Sequence, residues 1–328
     1  MRNIATLKRR HVVLLAVAVV AASWTSAESA DPKPVRVAMI LWRGETEAEK
    51  GFRAGLKELN RPVDYVVLNA GQDRAELGRL LREELQPRLA TFDYVYAYGT
   101  TVTLAAKSIV QDKVPLIFNI VNDPVGAGIV ASLERSGANV AGVTNEVSLQ
   151  LQLKTALAVF PIKRLGLMFN PREKNSMLAR DRVLAVAQPL GIEVVDLRSP
   201  PAQDMLQENL KKLRSGAIAV DAVYIPADSF LVSNGKLIAA ELTAARVKSI
   251  AAVEGSIDQG ALIGVVAQYQ ELGLAAAGMV RRHLAGQALK DMPVEADREP
   301  AIKVNRATSR ALGVEIPDAI RKRTVFVE

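Results

Sequence analysis

The sequence predicts an α/β protein of two similar lobes, each a parallel sheet covered by helices on both faces. Short, near-continuous apolar runs rich in β-branched and aromatic residues alternate with helical stretches of ten or more residues, as buried parallel strands joined by crossover helices do. The pattern also repeats. Arg36-Val-Ala-Met-Ile-Leu41 matches Arg164-Leu-Gly-Leu-Met-Phe169 in character, and Phe92-Asp-Tyr-Val-Tyr96 matches Val220-Asp-Ala-Val-Tyr224, both at an offset of 128 residues. A length of 328 residues fits two domains of roughly 150 residues each.

The elements follow in order. The apolar run at 35–41 is a strand, and 46–59 continues with helical spacing. A second strand covers 63–68, and 73–86 is a long amphipathic helix that Pro87 brings to an end. Two more strands fall at 92–97 and 114–118. In the second half, 193–197 answers 65–68, Asn175-Ser176 opens a helix reaching Gln188, and 271–285 reads as another helix.

Charge first points to nucleic acid, since the formal net charge is +7. Its location removes that reading. Residues 1–27 carry Arg2, Lys8, Arg9 and Arg10 and no acid, then an apolar run of about eleven residues, then Thr25-Ser26-Ala27. That order is a secretory signal peptide, and the run is too short for the ~20 residues of a spanning helix. Arg9-Arg10 invites a twin-arginine signal, but its flanks fit poorly. Without the four leader cations, 38 basic residues stand against 35 acidic ones, a net charge of +3. No nucleic-acid partner is expected, and the chain reads as a soluble periplasmic protein.

Composition excludes much chemistry. There is no cysteine, which rules out thiol nucleophiles, Cys-ligated zinc and iron–sulfur clusters. Only His283 remains beyond the leader, so no histidine pair can hold a metal, and a solvated helix face is its expected place. No Gly-x-x-x-x-Gly-Lys-Ser/Thr or Gly-x-Gly-x-x-Gly motif is present. Neither cofactor nor metal is expected.

In open α/β sheets, ligands bind beyond the carboxyl ends of the strands. The residues there are Trp42 and Asn170 after the first matched pair of strands, then Gly99-Thr100-Thr101 and Ala227-Asp228-Ser229 after the next. Helices follow these loops, and their free N–H groups suit an anionic ligand group. Thr100 and Thr101 also read as caps of a helix starting near Val102, Asn175-Ser176 as a cap, and Asp123-Pro124 as a turn starter. Asp228 sits on the matched edge and can receive a ligand ammonium, while Trp42 can stack on a ligand. Glu254 and Asp258 lie four apart in a glycine-flanked segment, a turn near the cleft rather than a hydrolytic pair.

Several motifs then carry a family resemblance. They are Tyr98-Gly-Thr-Thr101, Val121-Asn-Asp-Pro-Val-Gly-Ala-Gly128, Asn139-Val-Ala-Gly-Val-Thr-Asn145, Phe169-Asn-Pro-Arg-Glu-Lys-Asn-Ser176, Gly273 within Tyr269-Gln-Glu-Leu-Gly, Val304-Asn305 and Leu312-Gly-Val-Glu-Ile-Pro317. Over roughly residues 35–317 the chain resembles the substrate-binding proteins of ABC importers, in the family that includes tryptophan/tyrosine-type binding proteins. The resemblance implies a periplasmic binding protein type I fold: two Rossmann-like lobes with parallel sheets joined by a hinge. It implies capture of a small solute, an amino acid or similar polar or aromatic molecule, and delivery to a membrane permease. Carried over residue by residue, the cleft positions are Thr100, Thr101, Asn122, Asp123, Thr144, Asn170, Asn175, Ser176 and Asp228; Trp42 and Glu254 complete the ligand-binding candidates. The loop Leu41-Trp-Arg-Gly-Glu-Thr46 departs from many relatives, so the ligand can differ from an aromatic amino acid.

The expected organisation is a signal peptide at 1–27, a first lobe from 35–144 and 269–328, and a second from 145–268. Crossings are expected near 142–148, 266–269 and Pro300. Ligand touching both lobes stabilises the closed form. A monomer that is not an enzyme is expected. A secreted sensory ligand-binding protein and a secreted enzyme using cleft carboxylates are the alternatives.

Overall fold

Five parallel strands take the same spatial order in each half of the chain. In the computed structural model, which describes residues 33–328, the first lobe holds β1 (Val35–Leu41), β2 (Val63–Asn69), β3 (Tyr94–Tyr98), β4 (Leu116–Asn119) and β5 (Val140–Thr144), ordered β5-β4-β3-β1-β2. The second holds β6 (Arg164–Phe169), β7 (Glu193–Arg198), β8 (Ala222–Ile225), β9 (Lys248–Ala251) and β10 (Ile263–Val266), ordered β10-β9-β8-β6-β7. Each strand thus has a counterpart five places on. The expected leader at 1–27 lies outside the described residues.

The shared Asp-x-Val-Tyr has a physical reason. Asp93 Oδ2 accepts the Arg36 N–H at 2.8 Å, fastening the start of β1, and Asp221 Oδ2 accepts the Lys163 and Arg164 N–H groups at 2.8 Å, fastening β6. The arginines repeat the relation, since Arg36 Nη1 donates to Thr91 O and Arg164 Nη1 to Ala219 O, again 128 residues apart. These backbone donors hold the Asp221 carboxyl below its ordinary value. Asp221→Ala is expected to cost about 1 kcal/mol, read as a lower urea midpoint at pH 7. Because the native pKa is depressed, the difference from wild type closes as pH falls below the ordinary aspartate range.

Helices α1 (Glu47–Leu56), α2 (Arg74–Arg79) and α3 (Gly99–Val110) serve the first lobe. The second contains α4 (Leu149–Leu157), α5 (Lys174–Ala187), α6 (Gln203–Arg214), α7 (Ser229–Ser233), α8 (Gly235–Ala244) and α9 (Glu254–Asp258). The single helix expected over 73–86 is instead α2, a wider π segment at Leu80–Leu85 and a 3₁₀ segment at Gln86–Thr91. Pro87 sits in the first turn of the last, where its missing N–H costs nothing, so it does not end the run.

After β5 the chain leaves the first lobe and begins α4, which packs on β10. After β10 it returns as α10 (Tyr269–Leu284), which packs along α1 and against β4 and β5. The short β11 (Glu295–Ala296) adds to β5. A third crossing at 297–300 then leads to β12 (Ala301–Asn305), antiparallel to β10, and after α11 (Arg306–Leu312) and α12 (Asp318–Arg321) to β13 (Thr324–Val327), parallel to β12. Residues 301–328, expected in the first lobe, therefore extend the second sheet. The open edge of β10 accepts the β12 backbone, whose Ile302 and Val304 are buried. His283, expected on a solvated face, instead lies 2.7 Å (Nδ1) from the Tyr94 hydroxyl and meets that ring edge-on, and burial lowers its pKa.

Candidate ligand-binding cleft

The carboxyl ends of both sheets converge on one cavity. On the first-lobe side, β1 runs directly into Trp42 and Arg43, and Gly44 turns the chain with a φ of +89°. The Thr46 capping box with Glu49 then starts α1. Glu49 is fully buried and also accepts the Tyr96 hydroxyl at 2.6 Å; burial pushes its pKa up. Arg43 donates to the Tyr98 hydroxyl at 2.7 Å. Gly99 opens α3 at a φ of +76°, so Thr100 and Thr101 lie in its first turn rather than capping a later start. Their N–H groups belong to the four that a helix cannot satisfy internally.

The second-lobe wall is acidic. Asp228 caps α7, its Oδ1 accepting the Leu231 N–H at 2.9 Å, and it is fully buried. Glu173 precedes α5 and faces the same cavity. Burial, then the neighbouring Asp228 charge, pushes Glu173 up to about 7. Burial pushes Asp228 up to about 6 against its capping N–H donors and the nearby Ser176 and Asn170. Two acids so placed share their protons as a pair.

Of the residues named from the sequence, Trp42, Thr100, Thr101, Asn122, Asn175 and Asp228 line the cavity. Other candidates are placed elsewhere. Asp123 closes a turn by accepting the Gly126 N–H at 2.7 Å. Thr144 donates to Asn122 O and accepts the Glu146 N–H, tying down the first crossing. Ser176 Oγ accepts the Asn170 N–H, and Asn170 Oδ1 the Arg172 N–H, so both shape the loop behind Asp228. Glu254 begins α9 rather than a turn, accepts the Tyr269 N–H at 3.0 Å and pairs with Lys303 at 3.0 Å, fastening the start of α10 to β12. The cavity adds Arg43, Tyr98, Asn145, Glu173 and Tyr269, which sequence reasoning passed over. Arg43 stands beside Trp42, and Tyr98, Asn145, Glu173 and Tyr269 all lie in motifs already quoted.

Contacts across the cleft hold the lobes together. Gln72 Nε2 donates to Ser233 Oγ at 2.9 Å, Arg74 Nη2 to Arg172 O at 2.7 Å and Lys174 Nζ to Ala127 O at 2.8 Å. Arg182 of α5 reaches Asp123 of the first lobe at 3.7 Å and also pairs with Glu146 in the first crossing.

Residues 35–327 match the family described as ABC transporter substrate binding protein. The chain belongs to that family. A tyrosine-binding protein of Clostridioides difficile is 30% identical over 68% of this chain, and the match spans 64% of that relative's length. The ABC domain from Streptococcus pneumoniae in complex with L-Trp superposes with a TM-score of 0.81 at 22% identity, covering 90% of this chain and all of that one. The ligand-free, open structure of a substrate-binding protein with adhesive properties from Clostridium difficile gives 0.67 at 26% identity, again over 90% of this chain and all of that one. The two-lobed, type I periplasmic-binding fold expected from the family motifs is the fold observed. Among the described residues no helix is long and apolar enough to cross a membrane.

Proposed function

We propose that this protein is the solute-capturing component of an importer: a periplasmic monomer, exported by a leader at 1–27, that closes its lobes on an amino acid and delivers it to a membrane permease. One observation carries the reading. Among the described residues, four buried side-chain polar atoms lack a hydrogen-bond partner, and three of them, Trp42 Nε1, Asn145 Oδ1 and Asp228 Oδ2, border this cavity. Folded proteins rarely leave such atoms unsatisfied, and each costs about 1–3 kcal/mol. A donor and two acceptors left open in one cleft fit a polar solute that supplies the missing partners. Aromatic groups beside them, Trp42, Tyr98 and Tyr269, offer apolar surface for the rest of the ligand. The ligands of the relatives, tyrosine and L-Trp, support the amino-acid class.

Thermal unfolding of the mature chain against the twenty proteinogenic amino acids tests this. At a hundred times its dissociation constant, a bound amino acid is expected to add about 2.7 kcal/mol of stability. Mass spectrometry of small molecules released from denatured, freshly purified protein gives a second reading. No stabilisation by any amino acid, with none released, would sink the proposal.

A further inference from the structure

The polar groups of the cleft are segregated by charge. Arg43, the Trp42 N–H and the amino end of α3 stand on the first-lobe side; Glu173 and Asp228 stand on the second. Arg43 has no ion-pair partner among the described residues, and its guanidinium donates to a neutral group, the Tyr98 hydroxyl. The carboxylates that follow it in the loop are taken: Glu45 pairs with Arg53, Glu47 with Lys50, and Glu49 is engaged by Thr46 and Tyr96. Trp42 is 5% exposed, and its Nε1 donor has no partner. A guanidinium offers five donors in a fixed fork that matches a carboxylate, and sheltering it without a counter-ion is costly. The acidic wall does not pair with it: Asp228 and Glu173 are both held at the amino end of α7 in the other lobe, accepting the Leu231 and Ser229 N–H groups.

Resting on the reading of the cleft as an amino-acid site, we infer that Arg43 is its specificity-determining residue: it takes the ligand carboxylate, with Trp42 Nε1 and the first turn of α3 completing the anion subsite. Asp228 and Glu173 then receive the ammonium. The site selects a solute carrying both a free carboxylate and a protonated amine, and rejects the same molecule with its carboxylate capped or removed.

Calorimetry on the mature chain, using each amino acid that binds together with its carboxamide and its decarboxylated amine, is the test. Wild type is expected to bind the amide and the amine about a hundredfold more weakly than the acid, the scale of losing one charge-assisted bidentate contact. Arg43→Gln is expected to lose about a hundredfold for the acid while its affinity for the amide is unchanged or higher. Arg43→Lys restores part of the loss, since it keeps the charge without the fork. Equal losses for acid and amide in Arg43→Gln, or an unchanged acid affinity, overturn this assignment while leaving amino-acid capture intact. Failure of wild type to bind any amino acid overturns both.

Discussion

Asp228→Asn is expected to weaken amino-acid binding about a hundredfold or more at pH 8 while leaving the unliganded fold at least as stable as wild type. Asparagine keeps the oxygen that accepts the Leu231 N–H, so the start of α7 stays capped. What changes is Oδ2, the buried atom with no partner: an amide N–H now faces the ligand ammonium. Losing one partner of a buried charge pair costs about 2–5 kcal/mol in binding. Without ligand the sign reverses, because the wild-type fold holds two acids in one buried site, and the substitution removes one of the charges it resists.

The same pair sets the pH dependence. Both acids have native values above their ordinary ones, so their contribution to the stability of the empty protein is fullest below about pH 4 and is lost as pH rises through about 6 to 7. Affinity for an amino acid runs the other way. The ammonium needs the carboxylates charged, so binding is expected to strengthen from pH 5 to 8 and then level off, most steeply below the pair's own range. Calorimetry across that window reads the slope, and Asp228→Asn should flatten it. A wild-type affinity independent of pH from 5 to 8 would remove the acid pair from the ligand.

The architecture was legible in the sequence where local chemistry repeats. Asp93 and Asp221 fasten matched strands through backbone N–H groups, so the motif had to recur at the same distance from each strand start. The tail was illegible for the opposite reason. Which edge β12 joins depends on the free strand edge at β10 and on partners of the tail that lie far back in the chain, such as Glu254 for Lys303. In the cleft, Trp42 and Asp228 could be placed because both directly follow strand ends or their short loops. Arg43 and Glu173 look like ordinary solvated loop charges until two lobes close over them. Glu254 misled because its partners, Tyr269 and Lys303, are 15 and 49 residues away. Its work is to hold the first turn of α10, and through it Tyr269, at the cavity.

Gly273→Ala is expected to cost about 3 kcal/mol in stability and to weaken ligand binding as well. Along the line where α10 meets α1, glycine faces backbone. A Cβ at Gly273 would stand 2.0 Å from Ala48 O and 2.6 Å from Phe52 N, and one at Gly51 would stand 2.2 Å from Gln270 O. Main-chain atoms of a helix cannot swing aside as a side chain does, so the two helices must separate, opening space between their packed faces. Movement of α10 displaces its first residue, Tyr269, whose ring borders the cavity and whose N–H is held by Glu254. Gly278, five residues along the same helix, provides the contrast. Its Cβ would meet nothing nearer than Arg282 Nη1 at 3.5 Å, the flexible end of a side chain. There alanine gains helix propensity, and Gly278→Ala is expected to stabilise by about 0.5–1 kcal/mol. Urea unfolding of the two variants, with calorimetry on each, separates the effects: opposite signs place the cost in the α1–α10 contact. Equal destabilisation by both would instead locate it in the helix itself.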